Sequence, residues 1–186
     1  MTCIVGLETP KGVIVGGDSA GTDSSFGQRV RADVKVFTKT GGRAEWIFGF
    51  TSSYRMGQLI RYAFDPPTVP EEDEDIDKYM VTEFVDALRD CFKEGGYLEK
   101  ENGVDSGGTF LVGVRGRLYE IEDDFQVARP STGYEAVGCG GDIAIGALYA
   151  TPKMAAERRV RTALEAAERN SAGVRGPFTI LTGAAP

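Results

Sequence analysis

Thr2 follows Met1, Asp18 ends the second apolar run of the chain, and Lys35 alternates with Val34 and Val36. A hydroxyl, a carboxylate and an ammonium are the parts of a hydrolytic site. The usual proton carrier is missing, because the chain contains no histidine. That excludes Ser-His-Asp and Cys-His nucleophiles, histidine bases and histidine-ligated metals. One base that titrates near neutral pH remains in every chain: the α-amino group, with a reference pKa of about 7.7–8.0. The small side chain of Thr2 permits removal of Met1, which would place a hydroxyl nucleophile and a primary amine on one residue. A lysine ammonium close to that amine depresses its pKa and keeps it a proton acceptor. Asp18 would hold the lysine charged and oriented. If Met1 stays, Thr2 has no free amine and this chemistry fails. By pattern alone, Asp18 and Lys35 also read as a strand-end acid and an exposed base, and many proteins begin Met-Thr.

The elements that must position these groups follow from the apolar spacing. Thr2 to Leu7 and Val13 to Val15 form a hairpin around Glu8-Thr9-Pro10-Lys11-Gly12, and Gly16-Gly17-Asp18 closes it. The second strand returns Asp18 toward the start of the first. Val34 to Thr38 and Trp46 to Thr51 read as two strands around Gly41-Gly42, with Lys35 on the face opposite its valine neighbours. Met56, Leu59, Ile60 and Phe64 mark a helix closed by Pro66-Pro67. The acidic run Glu71 to Asp75 reads as a solvated loop before a helix over Ile76 to Lys93, where Met80, Phe84, Leu88 and Cys91 form the buried face. Cys91 is expected in the core. Thr109 to Val114, Leu118 to Ile121 and Tyr134 to Val137 are strands. Ile143 to Ala150 and the stretch after Pro152 are helices, and Phe178 to Leu181 is a last strand. Blocks of strands with paired helices between them predict an α+β fold of mostly antiparallel sheet in one domain over residues 1–186. The tail Gly183-Ala184-Ala185-Pro186 is expected to fray.

Composition sets the outer bounds. The chain has 186 residues, 41% hydrophobic and 26% charged, with a net charge of −7. These are values of an ordinary globular domain able to bury a core. The acidic balance argues against nucleic-acid and anionic-membrane binding. Cys3, Cys91 and Cys139 are widely spaced with no CxxC pair, which points to a reducing compartment. No signal peptide or membrane span is visible, so a cytoplasmic location is expected.

Several short motifs together resemble one family. The run Thr2-Cys3-Ile4-Val5-Gly6 to Gly16-Gly17-Asp18 is similar to the start of proteasome β-subunits, and more so of the bacterial HslV-type peptidase. Val34-Lys35-Val36 resembles the family's lysine segment. Gly49-Phe50-Thr51-Ser52-Ser53, Gly138-Cys139-Gly140-Gly141 and Gly176 to Thr182 resemble its later segments, all in register. The resemblance implies an N-terminal-nucleophile (Ntn) hydrolase with a four-layer αββα sandwich. It implies a threonine peptidase with Thr2 as nucleophile, its own amine as base, Lys35 tuning the proton affinity and Asp18 orienting Lys35. The Ser53 amide would stabilise the oxyanion. It implies a homo-oligomeric ring of six or seven subunits, single or stacked, acting on polypeptide, with an ATP-dependent unfoldase as a partner and with methionine removal as maturation. Carbonyls of Gly176, Thr179 and Thr182 would hold a monovalent cation, with no other cofactor required.

The chain departs from the pattern in places. Cys139 stands where the family has serine, and a thiol is the weaker hydrogen-bond donor. Ser52-Ser53 replaces a glycine pair, and no carboxylate follows Glu168. Two other readings stay open: a non-catalytic structural or adaptor subunit that keeps Met1, and a hydrolase acting on a non-peptide amide. Substrate preference would be shaped by residues around Thr22 and Ser52 to Met56.

Overall fold

The computed structural model describes residues 1–185 except 24, 26, 72–74 and 102. Alternation of side chains along its strands explains the layering. In β1 (Ile4–Thr9), Val5 and Leu7 point to one face, with Cys3 just before them, and Ile4 points to the other. β2 (Gly12–Gly17) splits Ile14 from Val13 and Val15 in the same way. Both faces are apolar, so both must be covered.

β1 and β2 pair around Pro10-Lys11 with Ile4 opposite Gly17. They form the middle of a four-stranded antiparallel sheet with β12 (Tyr134–Val137) and β13 (Thr179–Gly183), in the order β12-β1-β2-β13. A second antiparallel sheet joins β5 (Val36–Gly41), β6 (Ala44–Phe50), β9 (Phe110–Val114), β10 (Arg117–Ile121) and β11 (Val127–Ala128), in the order β11-β10-β9-β6-β5. In β6, Ile47 turns toward the first sheet, while Trp46, Phe48 and Phe50 turn away from it. Ile4, Val13, Val15, Val36, Ile47, Leu111 and Leu118 fill the space between the sheets.

The outer faces carry helices. α4 (Gly141–Ala150) and α5 (Ala156–Asn170) cover the first sheet through Ala144, Leu148, Val160 and Leu164. α1 (Tyr54–Tyr62), α2 (Ile76–Tyr79), a π-helical stretch (Met80–Phe84) and α3 (Val85–Glu94) cover the second. Trp46 is fully buried there, stacks on Phe84 at 5.2 Å and donates through Nε1 to Gly41 O. Each such large side chain contributes roughly 1.5–3 kcal/mol by leaving water. The result is the α+β fold expected from the element order, in the αββα layering that the resemblance implies.

Three details differ from expectation, while the acidic run agrees with it where it is described. The helix after the acidic run buries a row spaced by four, Ile76, Met80, Phe84, Leu88 and Phe92, flanked by Tyr79 and Val85. That spacing drifts around a plain α-helix of 3.6 residues per turn. The wider π turn at Met80–Phe84 takes up part of the drift. Phe92 therefore occupies the core, and Cys91 is only half-buried beside it. Of the acidic run, 72–74 lie outside the described residues, while Asp75 caps α2 by accepting from Asp77 N and Lys78 N. Two short ribbons were not foreseen, β3 (Ala20–Thr22) with β4 (Gln28–Val30) and β7 (Glu99–Glu101) with β8 (Val104–Ser106). They are three residues long and mostly polar, so no apolar alternation announces them. The tail is not frayed at Ala184, which is buried and accepts from Gly116 N. Among the described residues, no helix is long and apolar enough to cross a membrane.

Candidate active site

The β1–β2 hairpin brings the ends of two strands together, and the site grows from that meeting. Asp18 leaves β2 opposite the entry to β1. Its N–H donates to Cys3 O at 3.3 Å, and its Oδ1 accepts from Cys3 N at 3.1 Å. Oδ2 accepts from Ala20 N at 2.9 Å and Arg175 N at 3.3 Å. Three main-chain amides thus fix the carboxylate, which is 2% exposed as a residue. These hydrogen bonds hold its direction.

Lys35 comes from the second sheet, in a bend one residue ahead of β5; the strand begins at Val36, which enters the core between the sheets, and not at Val34. Its Nζ donates to Asp18 Oδ1 at 2.8 Å and to Thr2 Oγ1 at 2.6 Å. Both side chains of the ion pair are almost wholly buried. Burial pulls the Lys35 pKa below the ordinary lysine value, and the Asp18 charge pushes it back up. Thr2 is itself buried, and its hydroxyl donates to Met1 O at 2.6 Å. The sequence-predicted trio Thr2, Asp18 and Lys35 is therefore one hydrogen-bonded cluster.

The turn after β12 supplies the other side. Thr2 N donates to Cys139 Sγ at 3.3 Å, and the Cys139 thiol donates to Thr2 O at 3.4 Å. Gly140 N also donates to Thr2 O, at 3.3 Å. The turn passes so close that a Cβ at Gly138, whose φ is +93°, would collide with Thr2 O. Ser171, at the end of α5, donates to Cys139 Sγ at 3.4 Å. No signal in the sequence gives Ser171 a role; its place beside the thiol depends on the packing of α5. Glu168, the last carboxylate, accepts from Gly176 N at 2.8 Å. Cys3 is no alternative nucleophile, since burial pushes its thiol pKa up to about 12.

Two expectations about this site need correction. Ser53 N–H donates to Thr51 O at 2.7 Å, so it is spent inside its own turn. The turn runs through Ser52 at φ +60°, a conformation open to glycine at little cost and here held by Ser52 Oγ accepting from Thr109 N. Ser52 N–H, in contrast, has no acceptor among the described residues. Ser53 serves instead as N-cap of α1, its Oγ accepting from Arg55 N. The second correction concerns the cation. Thr179 and Thr182 are three residues apart on an extended strand, opposite Gly17 and Ile14. That is about 10 Å, with alternate carbonyls directed to opposite sides. Gly176, Thr179 and Thr182 do not fit as ligands of one ion. Among the described residues, no group of three or more Cys, Asp or Glu is placed to hold a metal.

A cleft of about 50 Å³ opens beside the cluster, lined by Thr2, Thr22, Lys35, Phe50, Ser52 and Tyr54 among others. Met1 also lines it and is 43% exposed. Thr22 and Ser52 to Tyr54 stand where the sequence placed them, but Met56 points into the core behind. Chemically, the arrangement offers a hydroxyl held by a buried ammonium, next to an open main-chain N–H.

No family model matches the chain, and no curated protein matches it in sequence. Solved structures do resemble it. Thiobacillus denitrificans BPH, a bacterial proteasome homologue seen in complex with epoxomicin, superposes with a TM-score of 0.77 at 18% identity over 99% of this chain and 100% of that one. Eukaryotic HslV from Trypanosoma brucei gives 0.68 at 17% identity over 96% and 97%. Anbu from Pseudomonas aeruginosa, in a helical assembly, gives 0.66 at 17% identity over 98% and 80%. The chain has the fold of these proteasome-type Ntn hydrolases.

Proposed function

We propose that the chain is a threonine peptidase of the proteasome and HslV kind, active once Met1 is removed. One observation carries this reading: Lys35 Nζ bridges Thr2 Oγ1 and Asp18 Oδ1 at 2.6 and 2.8 Å in a buried cluster. A buried lysine touching a hydroxyl is costly to keep for structure alone, and it is the group needed to stabilise a developing alkoxide.

With Met1 gone, the Thr2 hydroxyl loses its acceptor on Met1 O and sits beside its own free amine. The amine takes the hydroxyl proton as Thr2 Oγ1 attacks the peptide carbonyl. Lys35 steadies the charge on Oγ1. The carbonyl oxygen becomes an oxyanion, for which Ser52 N–H is the open donor near the cleft. Collapse breaks the C–N bond, and the leaving amine takes the proton back from the Thr2 ammonium. Water, deprotonated by the same amine, then hydrolyses the ester and frees Oγ1. By likeness to HslV and Anbu, the active form is a homo-oligomer in which the site faces an inner space, in the cytoplasm, with an ATP-dependent unfoldase delivering polypeptide.

Intact-mass analysis of the purified native protein tests the first requirement. Loss of the methionine mass, with hydrolysis of small peptides that Thr2→Ala abolishes, supports the reading. Equal hydrolysis by wild type and Thr2→Ala overturns it. A second reading is a non-catalytic ring subunit. It is favoured by the Thr2 hydroxyl donating to Met1 O and by the Thr2 amide nitrogen seated on Cys139. Retention of Met1 in the native host would favour it.

A further inference from the structure

The cleft beside Thr2 is shut on one side by an aromatic wall. Its volume of about 50 Å³ leaves space for a few water molecules. Phe50, at the end of β6, and Tyr54, in the first turn of α1, meet edge to face with ring centroids 5.7 Å apart. Phe50 has no room to retreat, because its ring rests on the bare Cα of Gly57, where a Cβ would overlap it. Tyr54 is pinned on another side by the Arg31 guanidinium, centred 4.0 Å over its ring. Arg31 is held in turn by Asp33.

Behind this wall lies a larger hollow of about 340 Å³, bounded by Thr22, Asp23, Arg29, Arg31 and Tyr54. Thr22 and Tyr54 line both spaces, so they are the partition between them. Their hydroxyls, Thr22 Oγ1 and Tyr54 Oη, are buried and have no hydrogen-bond partner among the described residues. Unpaired buried hydroxyls cost free energy unless something else meets them. Removal of Met1 opens the cleft toward solvent but leaves the Phe50–Tyr54 wall in place.

We infer that Tyr54 sets the selectivity of the Thr2 site, so that the residue whose carbonyl is attacked carries a small side chain such as alanine or serine. This rests on the peptidase reading and specifies its substrates. A leucine or phenylalanine side chain at that position meets the Tyr54 ring, whereas an alanine or serine side chain ends short of it. Replacing Tyr54 by alanine joins the cleft to the hollow and admits bulky side chains.

The test uses the mature, assembled protein with matched peptides carrying Ala, Ser, Leu or Phe before the cut bond, with products read by mass spectrometry. Wild type should cleave after Ala and Ser in preference to Leu and Phe. Tyr54→Ala should raise the ratio of cleavage after Leu to cleavage after Ala by about tenfold or more. Tyr54→Phe, which keeps the ring and removes only its hydroxyl, should keep the exclusion of bulky residues. Arg31→Ala, which unpins the ring without removing it, should shift the Leu-to-Ala ratio in the same direction by less. Thr2-dependent cleavage after Leu as readily as after Ala in wild type overturns the inference while the peptidase reading stands. An unchanged ratio in both Tyr54→Ala and Arg31→Ala does the same. If no peptide is cut in a Thr2-dependent way, the peptidase reading falls and takes this inference with it.

Discussion

The Cys139 sulfur lies 3.3 Å from the Thr2 main-chain nitrogen, the atom that becomes the free amine when Met1 is removed. The thiol also receives the Ser171 hydroxyl, so it connects a second hydroxyl to that nitrogen. Cys139→Ser should preserve peptide turnover to within a few fold, since an oxygen accepts and donates in the same place. Cys139→Ala should lower it by about tenfold, the worth of one hydrogen bond to a charged group. Because Cys139 is exposed, alkylation with iodoacetamide should inhibit wild type and spare Cys139→Ser. Equal inhibition of both would remove Cys139 from the site.

Thr2→Ala should abolish peptide hydrolysis, by roughly a thousandfold or more, because among the described residues Thr2 alone offers a hydroxyl or thiol to Lys35 Nζ. The fold should persist: the substitution removes one partner of Lys35 and leaves Asp18 in place. Circular dichroism melting checks this second half, and a large drop in Tm would contradict it.

Asp18 is the more costly half of the buried ion pair. It accepts from three main-chain amides as well as from Lys35. Asp18→Ala strands all four donors, whereas Lys35→Met strands only one carboxylate that keeps its amides. Removing one partner of a buried pair costs about 3–5 kcal/mol, so urea unfolding should place Asp18→Ala at or above that range and Lys35→Met below it. The reverse order would refute this ranking.

The side of the second sheet away from β5 carries a pH-sensitive carboxyl. Burial, followed by the nearby Glu135 and Glu122, pushes the Glu120 pKa up to about 7. A raised acid binds its proton more readily in the fold than in the unfolded chain. Stability is therefore higher below the ordinary glutamate range and falls as pH rises through it to about 7. Glu120→Gln should remove that loss. Its Tm should exceed wild type at pH 8 by more than at pH 5, and an equal difference at both would contradict the assignment.

The β1–β2 hairpin, the two helical pairs and the absence of histidine were all legible in the sequence. Each rests on local periodicity, turn chemistry or plain composition. Thr2, Asp18 and Lys35 could be nominated because a hairpin returns its second strand to the start of its first. Ser52 and Ser53 could not be told apart, since which amide is spent depends on one φ angle and on the Thr109 strand beside it. Tyr54 gave only the signal of an aromatic residue opening a helix after a polar turn, and nothing local says that it divides two cavities.

What the sequence determined by itself is the set of strands and helices and the kind of chemistry left without an imidazole. The tertiary structure decided which groups meet. Thr2 and Asp18 belong to one sheet and Lys35 to the other, so their contact exists only because the sheets pack face to face. Cys139 and Ser171 join them from the turn after β12 and the end of α5. Local propensity acts over a few residues, whereas these distances are set by the packing of layers whose members lie far apart along the chain.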